Sequence, residues 1–262
     1  MREICEVLGF NKSPFYYQPK IDTSEDALRT EIQRLAAAYP TYGYRRIRAL
    51  LLRQGYTVGY TRVSRLMKEE NLSVSVKRVC QTTRSLDAEH NGVNRVQRLE
   101  ISRADQVWVG DITYVRLKRR FIYVALLMDI FTRMIRGWQV SYHLNTSLTV
   151  KPLQEALLES GSPEIHPSDQ GVQYLSSAYL STLKAHGIEI SLAHRGRPWE
   201  NGYAERLIRT LKAEEVHLND YEDITEARER IGHFITQVYH QKRPHSALGY
   251  LTPMEFQQQT FS

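Results

Sequence analysis

Cysteine is nearly absent: Cys5 and Cys80 are the two in 262 residues. They stand too far apart to read as a metal pair, so a disulfide scaffold and a cysteine-rich zinc finger are excluded as main themes. A reducing, cytosolic compartment is the default expectation. No run approaches the ~18 consecutive apolar residues of a membrane helix. The opening residues, Met1-Arg2-Glu3-Ile4-Cys5-Glu6-Val7, hold two acids and no apolar stretch, which argues against a secretory signal. Internal repeats and low-complexity tracts are lacking too. What is present is ordinary for a globular chain, 42% hydrophobic and 24% charged, so a core can be built.

Charge is distributed unevenly. The net is +6, but residues 1–103 carry 18 basic and 11 acidic side chains, whereas residues 104–262 carry 17 and 18. Within 41–84 there are 10 basic residues against 2 acidic. A dense positive module beside a near-neutral one predicts a polyanion-docking part and a separate working part. The plainer alternative is an arginine-rich, solvated helical surface.

The periodicity supports that division. Leu28, Ile32, Leu35 and Ala36 recur at helical spacing, predicting a helix over 24–39 that Pro40 stops. Tyr44, Ile47, Leu50 and Leu51 form the apolar face of a second helix, with arginines opposite, ending at Gly55. A third runs over 61–71, with Val63, Leu66 and Met67 inward and Arg62, Arg65 and Lys68 outward. Two short helices joined by a glycine-containing turn resemble a helix-turn-helix, although many helical hairpins share that look. The expected organisation is an arm over 1–22, a helix-turn-helix-like module over 23–84, a polar linker over 85–103, and a core with a helical tail over 104–262.

In the core, 106–115, 121–130 and 135–142 are rich in β-branched and aromatic residues and predict an antiparallel meander. Then come a helix over 147–160 (which Pro152 should kink, or open as its first turn), a strand over 163–168, a helix over 176–186, a strand over 188–192, and helices over 199–216 and 225–240. This order, βββαβα-β-α, is a mixed α/β layer pattern.

Three carboxylates stand out by position. Asp111 sits mid-strand among apolar neighbours, where an acid is costly unless paired or on a metal. Asp169 closes the fourth strand, and Glu205 lies on a helix after the broken loop His194-Arg195-Gly196-Arg197-Pro198. Hard oxygen donors of that kind, from two strand ends and a helix, suit Mg²⁺ or Mn²⁺ with positions left open for phosphate and water. At ~100° per residue, Asn201, Glu205, Arg209 and Lys212 share one stripe, and Ala204, Leu207, Ile208 and Leu211 the adjoining one. An ordinary amphipathic helix with i,i+4 Glu–Arg support would look similar.

Trp108-x-x-Asp111-Ile112-Thr113-Tyr114, Ser168-Asp169-Gln170-Gly171-Val172-Gln173-Tyr174 and Glu200-Asn201-Gly202-Tyr203-Ala204-Glu205, with 35 residues between Asp169 and Glu205, resemble the D-D-(35)-E core of insertion-sequence transposases. The IS-three family, bacterial relatives of retroviral integrases, is the one resembled. Tyr42-Gly43-Tyr44-Arg45-Arg46-Ile47 and Val63-Ser64-Arg65-Leu66-Met67 resemble its helix-turn-helix-like segment, and Arg243-Pro244-His245 through Pro253 its C-terminal signature. Pro167, Gln170 and His240 depart from the commoner pattern, and the His-His-Cys-Cys zinc module of retroviral integrases is missing.

The resemblance implies a ribonuclease-H-like fold, a mixed five-stranded sheet flanked by helices, and catalysis on Asp111, Asp169 and Glu205 with two Mg²⁺ or Mn²⁺ ions. It places Lys212 near the DNA, joined by Arg209 and Asn201 on its stripe, while Arg45, Arg46, Arg62, Arg65 and Lys68 are candidate contacts of the basic module. It further implies cleavage at terminal inverted repeats and strand transfer into target DNA, a homo-oligomer on DNA, an upstream-frame helix-turn-helix protein as fused or associated partner, and residence with the bacterial nucleoid. The alternatives are a catalytically silent DNA-binding regulator and a structure-selective nuclease on the same fold.

Overall fold

The computed structural model describes residues 23–74, 99–168, 171–192 and 202–260. The chain divides between Ser75 and Val76 into two compact units.

The first unit holds three helices, α1 (Thr23–Ala38), α2 (Tyr44–Arg53) and α3 (Tyr60–Glu69). Leu28, Ile32 and Leu35 of α1 meet Ile47 and Leu51 of α2 and Val63, Leu66 and Met67 of α3 in one apolar cluster. This is the face the helical spacing predicts. Charge ties the outside together: Arg29 pairs with Glu69 (2.9 Å) and Glu70 (2.7 Å), and Arg65 with Glu25 (2.9 Å), bracing α1 against α3, while Arg65 also pairs with Glu69 (2.8 Å) within α3. Each such half-exposed pair contributes little alone, and the network fixes orientation more than it adds stability.

The second unit is built on five strands: β1 (Trp108–Arg116), β2 (Phe121–Asp129), β3 (Ile135–Ser141), β4 (Ile165–Ser168) and β5 (Glu189–Leu192). The first three form an antiparallel meander, and β4 and β5 pair in parallel. One parallel bridge, Val107↔Ile165, joins the two sheets, giving the spatial order β3-β2-β1-β4-β5. The expected five strands are present, but the ladder between β1 and β4 stops after that bridge. The reason is chemical. Ile165 N–H donates to Gln106 O at 3.1 Å. In a parallel ladder the next β4 amide directed at β1 is two residues on. That residue is Pro167, which has no N–H.

Helices cover both faces. On one, α4 (Ser147–Ser160) and α5 (Ser177–Ala185) enclose Trp108, Leu127, Leu153, Tyr179 and Leu183. On the other, α6 (Gly202–Glu214) and α7 (Ile224–His233) bury Ala204, Leu207, Leu211 and Ile231 against Val109, Val115 and Val124. The expected helix over 225–240 is α-helical only to His233 and continues as a π-helical stretch, Phe234–Tyr239. The wider turn lets Phe234, Ile235 and Tyr239 all enter the core. A final helix, α8 (Pro253–Thr260), opens on a capping box: Thr252 N–H donates to Glu255 Oε2 (2.8 Å), and Glu255 N–H to Thr252 Oγ1 (3.2 Å). Among the described residues no helix is long and apolar enough to cross a membrane.

Pro152 neither opens α4 nor ends it; it lies inside the helix, buried on β3. Gly137 makes that approach possible, because a Cβ there would sit 2.3 Å from the Pro152 carbonyl oxygen. Gly137→Ala is expected to force α4 off the sheet and cost ~1–3 kcal/mol, read as a lowered urea midpoint at unchanged slope.

Candidate active site

Asp111 lies in mid-β1, opposite Leu126 of β2. Strand alternation puts its side chain on the face of Val109 and Val115, the face packed by Ala204, Leu207 and Leu211 of α6. Asp111 Oδ1 accepts the Ile112 N–H at 2.7 Å, and the side chain is half-buried. Its strand is held from below by Trp108, fully buried, whose Nε1–H donates to Asp105 Oδ1 at 2.8 Å.

Behind β1 sits a buried histidine. His166 of β4 donates from Nδ1 to the Trp108 carbonyl at 2.8 Å, replacing the ladder bond that Pro167 cannot make. Its Nε2 accepts from Tyr179 Oη–H of α5, also at 2.8 Å. Both ring nitrogens are therefore used, and the acceptor roles fix the neutral Nδ1–H tautomer. Burial lowers its pKa to about 4, with the Trp108 bond pulling weakly the other way. The same burial pushes the Tyr179 hydroxyl up. Tyr174 packs edge-on to Tyr179 with centroids 5.2 Å apart. A Cβ at Gly110 would meet Tyr174 Cε1 at 3.2 Å and His166 Cε1 at 3.3 Å, so the residue before Asp111 must be small for β1 to lie against this cluster.

Glu205 stands in the first turn of α6, half-buried beside the buried Ala204. Arg209 is exposed one turn on, and Lys212 reaches over the Tyr114 ring of β1, Nζ 4.5 Å from its centroid. The far end of α6 is clamped by the tail. Arg243 makes two bonds of 2.8 Å to the Glu214 carboxylate, and both side chains are buried. His240, likewise buried, accepts the Ile135 N–H at 3.0 Å through Nε2, and burial lowers its pKa to about 4. The unusual histidine ahead of Arg243-Pro244-His245 is thus a fastening between the tail and β3.

Asp169 and Asn201 lie outside the described residues; β4 is described up to Ser168, one position before Asp169. Asp111, Glu205, Arg209 and Lys212 all belong to β1 and α6, two elements packed together. Among the described residues no group of three metal-ligating side chains is gathered. Asp111 and Glu205 are nevertheless hard oxygen donors, half in solvent, of the kind magnesium takes. Sequence reasoning passed over His166, Tyr179 and the Arg243–Glu214 pair. The available signal for the first was Pro167, whose missing amide requires another donor to the neighbouring strand.

In the first unit, Arg45 and Lys68 are exposed. Arg46 lies over the Tyr42 ring, 4.9 Å from its centroid, and Arg62 and Arg65 both pair with Glu25. Tyr44, Tyr60, Ser64, Arg65 and Lys68 line a shallow open groove of about 590 Å³ between α2 and α3.

An integrase core domain model matches residues 101–198, a second integrase core model residues 186–253, and an HTH-like domain model residues 23–79. The transposase for insertion sequence element IS904 of Lactococcus lactis is 35% identical over 160 residues, covering 58% of this chain and 61% of that protein's length. The transposase for insertion sequence element IS629 of Shigella sonnei is 33% identical over 235 residues, covering 88% of this chain and 79% of that protein. A chain of the simian T-cell lymphotropic virus intasome, solved in complex with a PP2A regulatory subunit, superposes with a TM-score of 0.51 at 17% identity, over 86% of this chain and 73% of that one. That likeness shows the fold.

A histidine with a folded-state pKa of about 4 and an ordinary one of about 6.5 unfolded binds its proton more readily in the unfolded chain. Its contribution is complete above pH 6.5 and is lost as pH falls toward 4, by up to ~3 kcal/mol. His166→Gln is expected to flatten the fall in unfolding free energy between pH 7 and 4.5 relative to the parent; parallel curves in urea unfolding would contradict the buried neutral ring.

Proposed function

The chain belongs to the IS-three family of insertion-sequence transposases, proteins with an integrase core and an HTH-like domain, and on that premise we propose that Asp111, Asp169 and Glu205 are its catalytic carboxylates. The observation that carries the proposal is the projection of Asp111 from β1 toward the helix that bears Glu205. The three would hold two Mg²⁺ or Mn²⁺ ions. When bound, these supply charge that favours in-line attack by water or a DNA 3′-hydroxyl on a phosphodiester and stabilises the departing oxygen.

The residues of the chain do the rest. Asp111 is carried on a strand paired along its whole length, so its carboxylate is positioned before DNA arrives. Glu205 is carried by a helix whose apolar stripe is buried and whose far end Arg243 fixes. Lys212 offers its ammonium to a phosphate next to the reacting one, with Arg209 outward beside it and Asn201 assigned to the same stripe. In the first unit Arg45, Arg46, Arg62, Arg65 and Lys68 engage phosphates of the element ends, which positions DNA without reading its sequence. The partners follow: terminal inverted repeats, target duplex, further copies of the chain, and an upstream-frame helix-turn-helix protein, fused or associated. Residence with the nucleoid is a consequence of those partners.

The test uses paired element ends, a target duplex and Mg²⁺. Joined products are expected from the parent. Glu205→Gln should lower cutting ~1000-fold, about 4 kcal/mol of barrier, while ends are still shifted in a gel; undiminished cutting would remove Glu205 from the site. Affinity for ends should fall steeply with salt, with a log–log slope near −0.9 per phosphate neutralised. Arg45→Ala should flatten it by about one unit, and an unchanged slope would remove Arg45 from the interface.

A further inference from the structure

The β1–β2 hairpin carries an aromatic surface that the fold does not cover. Tyr114 and Phe121 are 61% and 51% exposed, on strands otherwise largely buried. Their rings meet edge to face, centroids 5.7 Å apart. In register, Tyr114 faces Tyr123 and Arg116 faces Phe121, so these four side chains leave the sheet on one face. Lower on that face Ile112 and Leu127 are roofed by Leu153 of α4 and Tyr179 of α5. The aromatic pair stands beyond that roof.

The charge around the pair is positive. Lys212 lies over Tyr114, and Arg116 is exposed across from Phe121. Arg120 rests on Tyr142, 4.0 Å from its ring centroid. Glu222 pairs with Lys118 at the hairpin tip. An exposed aromatic pair edged by cations is ill-suited to a neutral apolar partner and well suited to a nucleobase, whose π-face stacks while its phosphate meets the charge. Position points the same way. Tyr114 is three residues beyond Asp111 on an extended strand, about 10 Å or roughly three stacked nucleotides at ~3.4 Å each; its ring leaves the face opposite to the Asp111 carboxylate, and Lys212 of α6, which packs on the Asp111 face, reaches over that ring and links the two sides.

We propose that Tyr114 and Phe121, flanked by Lys212 and Arg116, form a stacking platform for an unpaired base of the DNA end, within about three nucleotides of the phosphate that Asp111 serves. This rests on the assignment of Asp111 as catalytic. Capture of such a base holds the end frayed, exposing the reacting phosphate on one strand.

The test compares, with the full chain, element ends that are fully paired and ends mismatched over the three terminal pairs, measuring KM and kcat for cutting. The parent is expected to favour the mismatched end. Phe121→Leu, which keeps apolar bulk and removes the ring, should raise KM about tenfold for the mismatched end, whose base is captured on binding, and for the paired end, captured only after binding, should lower kcat about tenfold with KM within a factor of two or so. Tyr114→Phe, which keeps the ring, should retain the preference. An unchanged KM difference between the two ends in Phe121→Leu overturns the platform. So does an equal loss on both ends accompanied by a change in oligomeric state by light scattering, which would mark the pair as a protein interface. A parent that cuts neither end overturns the catalytic reading, and the platform with it.

Discussion

The imidazole of His166 is the constraint on which the core depends. The proposed site needs β1, which bears Asp111, and β4, which ends one position before Asp169, to lie side by side, and Pro167 removes the amide that would bind them. The ring supplies the missing donor to Trp108 O and anchors its other nitrogen to Tyr179 of α5. The side-chain donor stands in for the backbone one, and among the described residues no ladder pair between β1 and β4 follows the Val107↔Ile165 bridge. A buried neutral ring with both nitrogens satisfied is also stiff, since any change of tautomer or charge would leave one partner unmet.

A second fastening acts on the other carboxylate. Glu205 is carried by α6, whose apolar stripe fixes the helix laterally and whose far end is tied to the tail by Arg243 and Glu214. A buried, two-bonded arginine–carboxylate pair is geometrically specific, and losing one partner would leave a charge without solvent. The tail, through His240 on β3 and Arg243 on α6, therefore spans the sheet from its outer strand to the helix that bears Glu205.

Much of this was legible in the sequence, and the remainder was hidden for physical reasons. The strand pattern of β1 and the three- and four-residue spacing of Ala204, Leu207 and Leu211 are local signals, and both elements formed where those patterns put them. That Asp111 faces α6, the helix that bears Glu205, follows from those two faces. The π-helical turn after His233 was not legible, because its cause is tertiary: three large side chains on one face that must all reach the core. Pro152 misleads as a helix breaker because Gly137 receives it from the opposite strand, 15 residues earlier. The capping box Thr252-Pro253-Met254-Glu255 was open to reading and announces α8. In the first unit the outward arginines are visible as a pattern, but their division between ion pairs with Glu25 and the solvent is set by the packing of α1 on α3.

The most direct test of the central claim, that three carboxylates distant in sequence share metal ions, is to replace Mg²⁺ by Fe²⁺ and generate hydroxyl radicals at the bound ion. The account predicts backbone cuts clustered at residues 111, 169 and 205 and nowhere else, all suppressed together by excess Mg²⁺. Cuts at only one of those positions, or cuts that Mg²⁺ does not suppress, would contradict it.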